Sequence, residues 1–191
     1  PEASDLFREF VKETGYPCTL TLMGLGAYPS SDPQFLGMLG MHGTYEANLA
    51  MHGCDVMINI GARFDDRVTG LLSAFSPGSK KIHVDIDPSS INKNVSVDVP
   101  VVGDAATVLA QMLEVWRRKK YSADKPALEA WWRQINLWRQ RDCLGFRQTG
   151  DVIRPQHAIR RLFEKTAERE CFISTEVGQH QMWAAQYYGF D

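Results

Sequence analysis

The segment GARFDDRVTG, residues 61–70, sets two arginines and two aspartates between two glycines, directly after the run DVMINI. Taken alone, such alternating charges form a solvated turn in which Asp65 and Asp66 pair with Arg63 and Arg67. Position supplies a second reading. A run rich in Val and Ile has the pattern of a strand buried on both faces, as parallel sheets produce. In open parallel sheets ligands sit at the carboxyl ends of the strands, where this segment lies, and there Arg63 and Arg67 can pair with a diphosphate.

Three further loops follow apolar runs in the same way: MGLG after CTLTL, DIDP within and after KKIHVDID, and GDA after VPVVG. Gly24, Gly26, Gly61 and Gly103 let the backbone approach a ligand, and a helix starting near Asp104 offers a positive dipole end. Asp85, at a strand end, can accept a ribose hydroxyl. Together these loops predict a nucleotide pocket, although GLG lacks the full G-x-G-x-x-G spacing. His180 follows Gly178 in a strand-to-helix loop suited to phosphate. No nucleophile and base pair stands out: Ser30 and Ser31 lie in a Pro-flanked turn, and His42, His52, His83, His157 and His180 show no metal-ligand spacing. His83, inside a strand pattern, has the setting of a packed residue.

Positioning these loops requires alternating strands and helices. SDLFREFVKETGYP predicts a helix capped by Ser4 and stopped at Gly15, followed by a strand CTLTL. MGLGAYPSSDPQFLGMLGMHG is too interrupted by Gly and Pro to predict regular structure, and TYEANLAMHG predicts a short helix ending at Gly53. Strands are expected at DVMINI, KKIHVDID and VPVVG, and a helix over 104–119 capped by Asp104. Residues 117–150 carry nine Lys or Arg against three acids. Within them Leu128, Trp131, Trp132, Ile135 and Trp138 keep helical spacing behind Pro126, predicting an aromatic stripe laid on a neighbouring domain. A helix at RPQHAIRRLFEKT, a strand at CFIST and a loop-to-helix turn at EVGQHQMWAAQYY complete the pattern. The expected fold class is α/β, a doubly wound, Rossmann-like parallel sheet truncated at its first strand, with the beginning of a second α/β domain.

The composition of 191 residues, 44% hydrophobic and 23% charged, is that of a globular protein of one domain or slightly more. A net charge of -2 lacks the cationic excess of nucleic-acid or membrane-surface proteins, so small-molecule or protein partners are expected. Cys18, Cys54, Cys143 and Cys171 are too scattered for a zinc site and suit a reducing compartment. No run reaches the roughly 18 apolar residues of a membrane span. The chain opens on PEASDLFREF without an initiator Met, so a piece of a longer protein is expected.

TLMGLG, LGMLGMHG, GARFDDRVTG, HVDID and EVGQHQMWAAQ, in this order and at these spacings, make the chain similar to the catalytic subunits of the acetohydroxyacid synthase (acetolactate synthase) family. The resemblance covers nearly the whole chain. It implies a thiamine-diphosphate enzyme that condenses pyruvate with a second 2-keto acid, pyruvate or 2-ketobutyrate, with loss of carbon dioxide, in branched-chain amino-acid synthesis. The implied cofactors are FAD, bound without net redox turnover, thiamine diphosphate and magnesium. The implied assembly is a homodimer or tetramer of catalytic subunits with a regulatory small subunit, cytoplasmic in bacteria or organellar in eukaryotes, without nucleic acid or membrane.

The same resemblance implies that residues 1–118 belong to a central FAD-binding domain, 119–150 to a basic connector and 151–191 to the start of a thiamine-diphosphate-binding domain. By motif, FAD would contact Thr21, Leu22, Met23 and Gly24; Gly40, Met41 and His42; Gly61, Arg63, Asp65, Arg67 and Val68; Asp85 and Ile86; and Gly103 and Asp104. Asp66 and Arg67 would lie near the substrate entrance between subunits. Val177, Gly178, Gln179 and His180 would contact thiamine diphosphate. The activating glutamate and the magnesium-binding G-D-G with its asparagine are expected outside residues 1–191, so no catalytic residue and no metal ligand is assigned here, and Glu176 has the setting of a polar strand end. Pyruvate oxidase and glyoxylate carboligase fit the RFDDRVTG loop less well, and a non-catalytic module binding FAD or ADP is the competing class.

Overall fold

The computed structural model describes residues 2–191; Pro1, where the expected central domain begins, lies outside the described residues. Helix α1 spans Glu2–Thr14 and already includes Ser4, so the expected cap sits inside the helix. Acidic Glu2 and Asp5 lie in its first turn, where they favour the positive dipole end. Gly15 stops it as expected, at φ 72° and with its N–H donating to Val11 O at 3.0 Å.

Strand β1 is Cys18–Leu20, shorter than CTLTL because Leu22–Gly24 wind into a 3-10 turn. Strand β2, Phe35–Met38, forms inside the stretch that the sequence marked as irregular. Gly37 disguised it: at φ 95° this glycine sits where a Cβ would come 2.5 Å from Thr44 Cγ2. Thr44 caps helix α2, Tyr45–Gly53, by accepting from Ala47 N–H. Strand β3 (Val56–Ile60), helix α3 (Asp66–Thr69), strand β4 (Lys80–Asp85), strand β5 (Val99–Val102) and helix α4 (Ala105–Arg118) follow.

All pairings are parallel, but the strands form two sheets, β1-β2 and β3-β4-β5, not one continuous sheet. Among the described residues β1 and β3 each keep an unpaired edge. Side chains join what backbone hydrogen bonds do not. Phe7 of α1 packs both against the cluster of Val11, Cys18, Leu20 and Tyr28 and against that of Phe10, Leu109 and Leu113, which Ile58 and Ile60 of β3 also cover. Arg117 of α4 adds ion pairs to Glu9 and Glu13 on α1. Burial pushes the Cys18 thiol up to about 12, which keeps it an inert core group.

Helix α5, Lys125–Arg139, lays its stripe on the other face: Trp131, Trp132, Ile135 and Trp138 surround Leu36 of β2 with Ala47 and Ala50 of α2. Trp132 Nε1 donates to Gly15 O at 2.9 Å. Helices α6 (Pro155–Thr166) and α7 (Gln179–Tyr187) pack through Phe163 and Tyr188, whose ring centroids are 5.2 Å apart. The expected strand CFIST is absent: residues 171–175 have no strand neighbour, and Phe172 is 92% exposed. A strand without a partner leaves its hydrogen-bonding groups to water, so this segment stays irregular.

Ile135 is fully buried and Leu137, on the same helix, is 59% exposed. Ile135→Ala is expected to cost about 2–5 kcal/mol in urea unfolding followed by Trp fluorescence. Leu137→Ala is expected to stay within about 0.5 kcal/mol. Equal effects would mean that α5 does not pack in this orientation.

Candidate functional site

Three loops meet at the carboxyl ends of β3, β4 and β5. Gly61 N–H donates to Val84 O at 2.8 Å and Gly103 N–H to Asp85 O at 3.0 Å, which levels the three strand ends. Gly61 has φ 68°, and nothing lies within 4 Å of where a Cβ would stand. Its neighbourhood can therefore accept a ligand against the bare backbone.

The charged loop divides its work. Asp65 caps α3, accepting from Arg67 N–H at 3.0 Å. Its outer oxygen is 4.0 Å from Arg63 Nε, and Asp66 is 3.9 Å from Arg67. Exposed pairs at such distances contribute about 0–1 kcal/mol and leave the arginines free to turn to an anion. Arg67 is 72% exposed along its side chain, yet its backbone is held on both sides. Its N–H goes to Asp65, and its carbonyl accepts from Met41 N–H at 2.8 Å. At the other end Asn94 Nδ2 donates to Phe64 O at 3.0 Å.

Beneath this loop one face of β4 presents Lys81, His83 and Asp85, all buried. Lys81 Nζ donates to the carbonyls of Ser76 at 2.8 Å and Ser79 at 3.2 Å, fixing the turn that returns to β4. His83 is fully buried, with Phe64 edge-on at 5.0 Å, and Phe64 holds a left-handed φ of 54°. Neither ring nitrogen of His83 has a hydrogen-bond partner; Nε2 is 3.7 Å from Asp85 Oδ2. Burial lowers the His83 pKa, against the opposing pull of Asp85. Asp85 Oδ1 accepts from Asp87 N–H at 2.9 Å, so the carboxylate expected to meet a ribose faces inward and is partly committed.

Of the loops after β1 and β2, the second meets this charged loop directly. Thr21 starts the 3-10 turn that carries Leu22, Met23 and Gly24, and Met23 is 92% exposed. Arg8 donates from Nε to Ala27 O and from Nη2 to Gly26 O, at 3.1 and 3.0 Å, so α1 holds this loop from behind. After β2, Gly40 has φ 95°, and a Cβ there would stand 2.5 Å from Arg67 O. Gly40, Met41, Asp66, Arg67 and Val68 thereby line one cavity of about 390 Å³, with Asn48 on its wall. His42 turns instead to a second cavity of about 510 Å³ beside Arg160 and Tyr187, and its carbonyl accepts from Gln186 of α7.

The remaining expected residues are more dispersed. Ile86 is exposed. Asp104 caps α4 by accepting from Thr107 N–H and Oγ1, which lowers its pKa. The positive end of α4 thus already faces its own carboxylate, and that position suits a hydroxyl or an N–H donor better than a phosphate. Val177, Gln179 and His180 are exposed around Gly178, which caps α7 without any side-chain bond; in this first turn Gln181 N–H donates to Gly178 O at 3.1 Å. Among the described residues no cluster of His, Cys, Asp and Glu could hold a metal ion. Asn48 and Asn94, which hold the two ends of the mouth, were not singled out in the sequence. Single amides that bind backbone across the chain leave no local signal.

Parallel strands flanked by helices, with glycine-bearing loops and exposed arginines at their carboxyl ends, define an α/β domain of the kind in which such loops form ligand sites. Residues 1–112 match the central domain of thiamine pyrophosphate enzymes, and the chain belongs to that family. It is 47% identical over 190 residues to the acetolactate synthase large subunit of Haemophilus influenzae, covering 100% of this chain and 33% of that protein. Likeness to acetolactate synthase isozyme 3 large subunit of Escherichia coli is 46% over 184 residues, 96% of this chain and 32% of the relative. For the chloroplastic acetolactate synthase of Arabidopsis thaliana it is 45% over 190 residues, 98% and 28%. The chain thus spans about a third of the length of these curated relatives.

Because burial lowers the His83 pKa in the folded chain while the unfolded chain protonates near the ordinary value of about 6.5, stability is expected to fall as pH drops below that value. The slope due to this residue is at most about 1.4 kcal/mol per pH unit. Urea unfolding between pH 7.5 and 5.5 checks it: His83→Gln should flatten the decline, and an unchanged slope would remove His83 as its cause.

Proposed function

We propose that this chain is the central FAD-binding part, the connector and the beginning of the thiamine-diphosphate-binding part of an acetohydroxyacid synthase catalytic subunit. The division falls at 1–118, 119–150 and 151–191. The whole subunit would condense pyruvate with pyruvate or 2-ketobutyrate, releasing carbon dioxide and giving acetolactate or acetohydroxybutyrate. Small-molecule 2-keto acids are its substrates. It would act as a dimer or tetramer with a regulatory small subunit, cytoplasmic in a bacterium or organellar in a eukaryote; among the described residues no helix is long and apolar enough to cross a membrane.

The observation that carries this reading is the loop at 61–70, with its backbone pinned and its arginines free, in a chain alike over its whole length to acetolactate synthases. The open backbone at Gly61 fits close approach of a flavin nucleotide, and Arg63 and Arg67 supply cations for its diphosphate. Thr21–Gly24 and Gly40–His42 would border the same cofactor, with Val68 closing the loop and Asp85–Ile86 and Gly103–Asp104 meeting its sugar end. Asp66 and Arg67 would lie near the substrate entrance between subunits, where the cationic Arg67 suits the approach of an anionic keto acid. The N–H groups after Gly178, with Val177, Gln179 and His180, would hold the diphosphate of thiamine diphosphate. Thiamine diphosphate supplies the carbanion stabilisation that decarboxylation of a 2-keto acid requires. Magnesium would be bound by residues outside this chain.

In the full-length subunit, titration with FAD is expected to saturate, and Arg67→Ala to weaken FAD binding or raise the KM for pyruvate about tenfold or more. No change in either quantity would overturn the assignment of this loop. The 191-residue chain by itself is expected to form no acetolactate from pyruvate; measurable product would contradict the division of the machinery proposed here.

A further inference from the structure

We infer that Asn48 is a positioning residue that sets where Arg67 presents its guanidinium, acting through the backbone of Gly40 and Met41. The inference rests on the proposed role of Arg67. Asn48 lies on the second turn of α2, where asparagine has poor helix propensity and no local bond to make. Its side chain instead closes a ring with a single residue eight positions earlier. Gly40 N–H donates to Asn48 Oδ1 at 2.8 Å, and Asn48 Nδ2 donates to Gly40 O at 2.9 Å. A carboxamide of this length satisfies both groups, sharing the carbonyl with Gly43 N–H at 2.9 Å; a carboxylate would set an oxygen against that carbonyl, and alanine would leave the Gly40 N–H unpaired and the carbonyl with Gly43 alone.

Gly40 thus held, the next N–H along the chain, that of Met41, donates to Arg67 O at 2.8 Å. The same carbonyl approaches Gly40 within the space a side chain would fill, so small shifts of Gly40 must be followed by Arg67. The other bonds to α3, from Asp65, lie within the loop itself and cannot locate it relative to α2 or β2. Asn94 secures only the Arg63–Phe64 end. Alongside the turn bond from Gly43 N–H to Gly40 O, the run from Asn48 through Gly40 and Met41 to Arg67 is therefore the hydrogen-bonded link from α2 to the far end of the loop.

The test uses the full-length subunit with its cofactors and compares Asn48→Ala, Arg67→Ala and the double variant by FAD affinity and by kcat and KM for pyruvate. Asn48→Ala is expected to impair whichever quantity Arg67→Ala impairs, by roughly three- to tenfold, with little further loss in the double variant. Hydrogen exchange separates this from general loosening: the Met41 amide should exchange at least about fivefold faster in Asn48→Ala, while Ile82–Val84 stay unchanged. If Asn48→Ala does not fold, Asn48→Asp, which loses one of the two bonds, is measured in its place with the same expectations. Additive effects, a silent Asn48 variant or an unchanged Met41 amide overturn the inference while leaving the role of Arg67 intact. A silent Arg67→Ala overturns both.

Discussion

The contact between Gly40 and the carbonyl of Arg67 is the constraint on which the site depends. The two sheets share no strand pairing, so nothing in their ladders dictates how the loop after β2 meets the loop after β3. A residue with a Cβ at position 40 would hold these loops apart, because its first side-chain atom would stand 2.5 Å from Arg67 O. Glycine permits the approach, and Met41 N–H converts it into a hydrogen bond. Placement of the arginine is thus a backbone matter, while its charged end stays exposed.

This arrangement explains why a loop so rich in charge is not held by its ion pairs. The pairs Arg63–Asp65 and Arg67–Asp66 are long and exposed. Order comes from other sources: Asp65 as a helix cap, Asn94 on the Phe64 carbonyl, and the buried face of β4. Lys81, His83 and Asp85 make that face costly, because burial of polar groups is tolerated only where partners or packing compensate. Lys81 is compensated by two carbonyls, whereas His83 meets the edge-on ring of Phe64 and a distant carboxylate.

Helices connect the parts that strands do not. Phe7 of α1 joins the core beside β1 to the core between α1 and α4, Trp132 of α5 reaches Gly15 at the end of α1, and Gln186 of α7 reaches His42 beyond β2. The loops that carry the site are therefore braced from behind by Arg8, Asn48 and Gln186, each through side-chain bonds to main-chain carbonyls or amides. Such bonds fix loop geometry without using the side chains that face the ligand.

What the sequence alone determined were the features with a local physical cause. The glycine stop of α1, the Asp104 cap, the helical stripe from Leu128 to Trp138 and the parallel α/β class all follow from dihedral preference, capping and periodicity. The mouth was legible because glycines and charges follow apolar runs, and the motifs there identified the family. Tertiary structure decided the rest. It made a strand of Phe35–Met38 across Gly37, withheld one from CFIST where no neighbour pairs with it, turned Asp85 inward and enlisted Asn48 and Asn94 as braces. Strand pairing, close backbone approach and amide bridges join residues distant in the chain, and no window of sequence contains both partners.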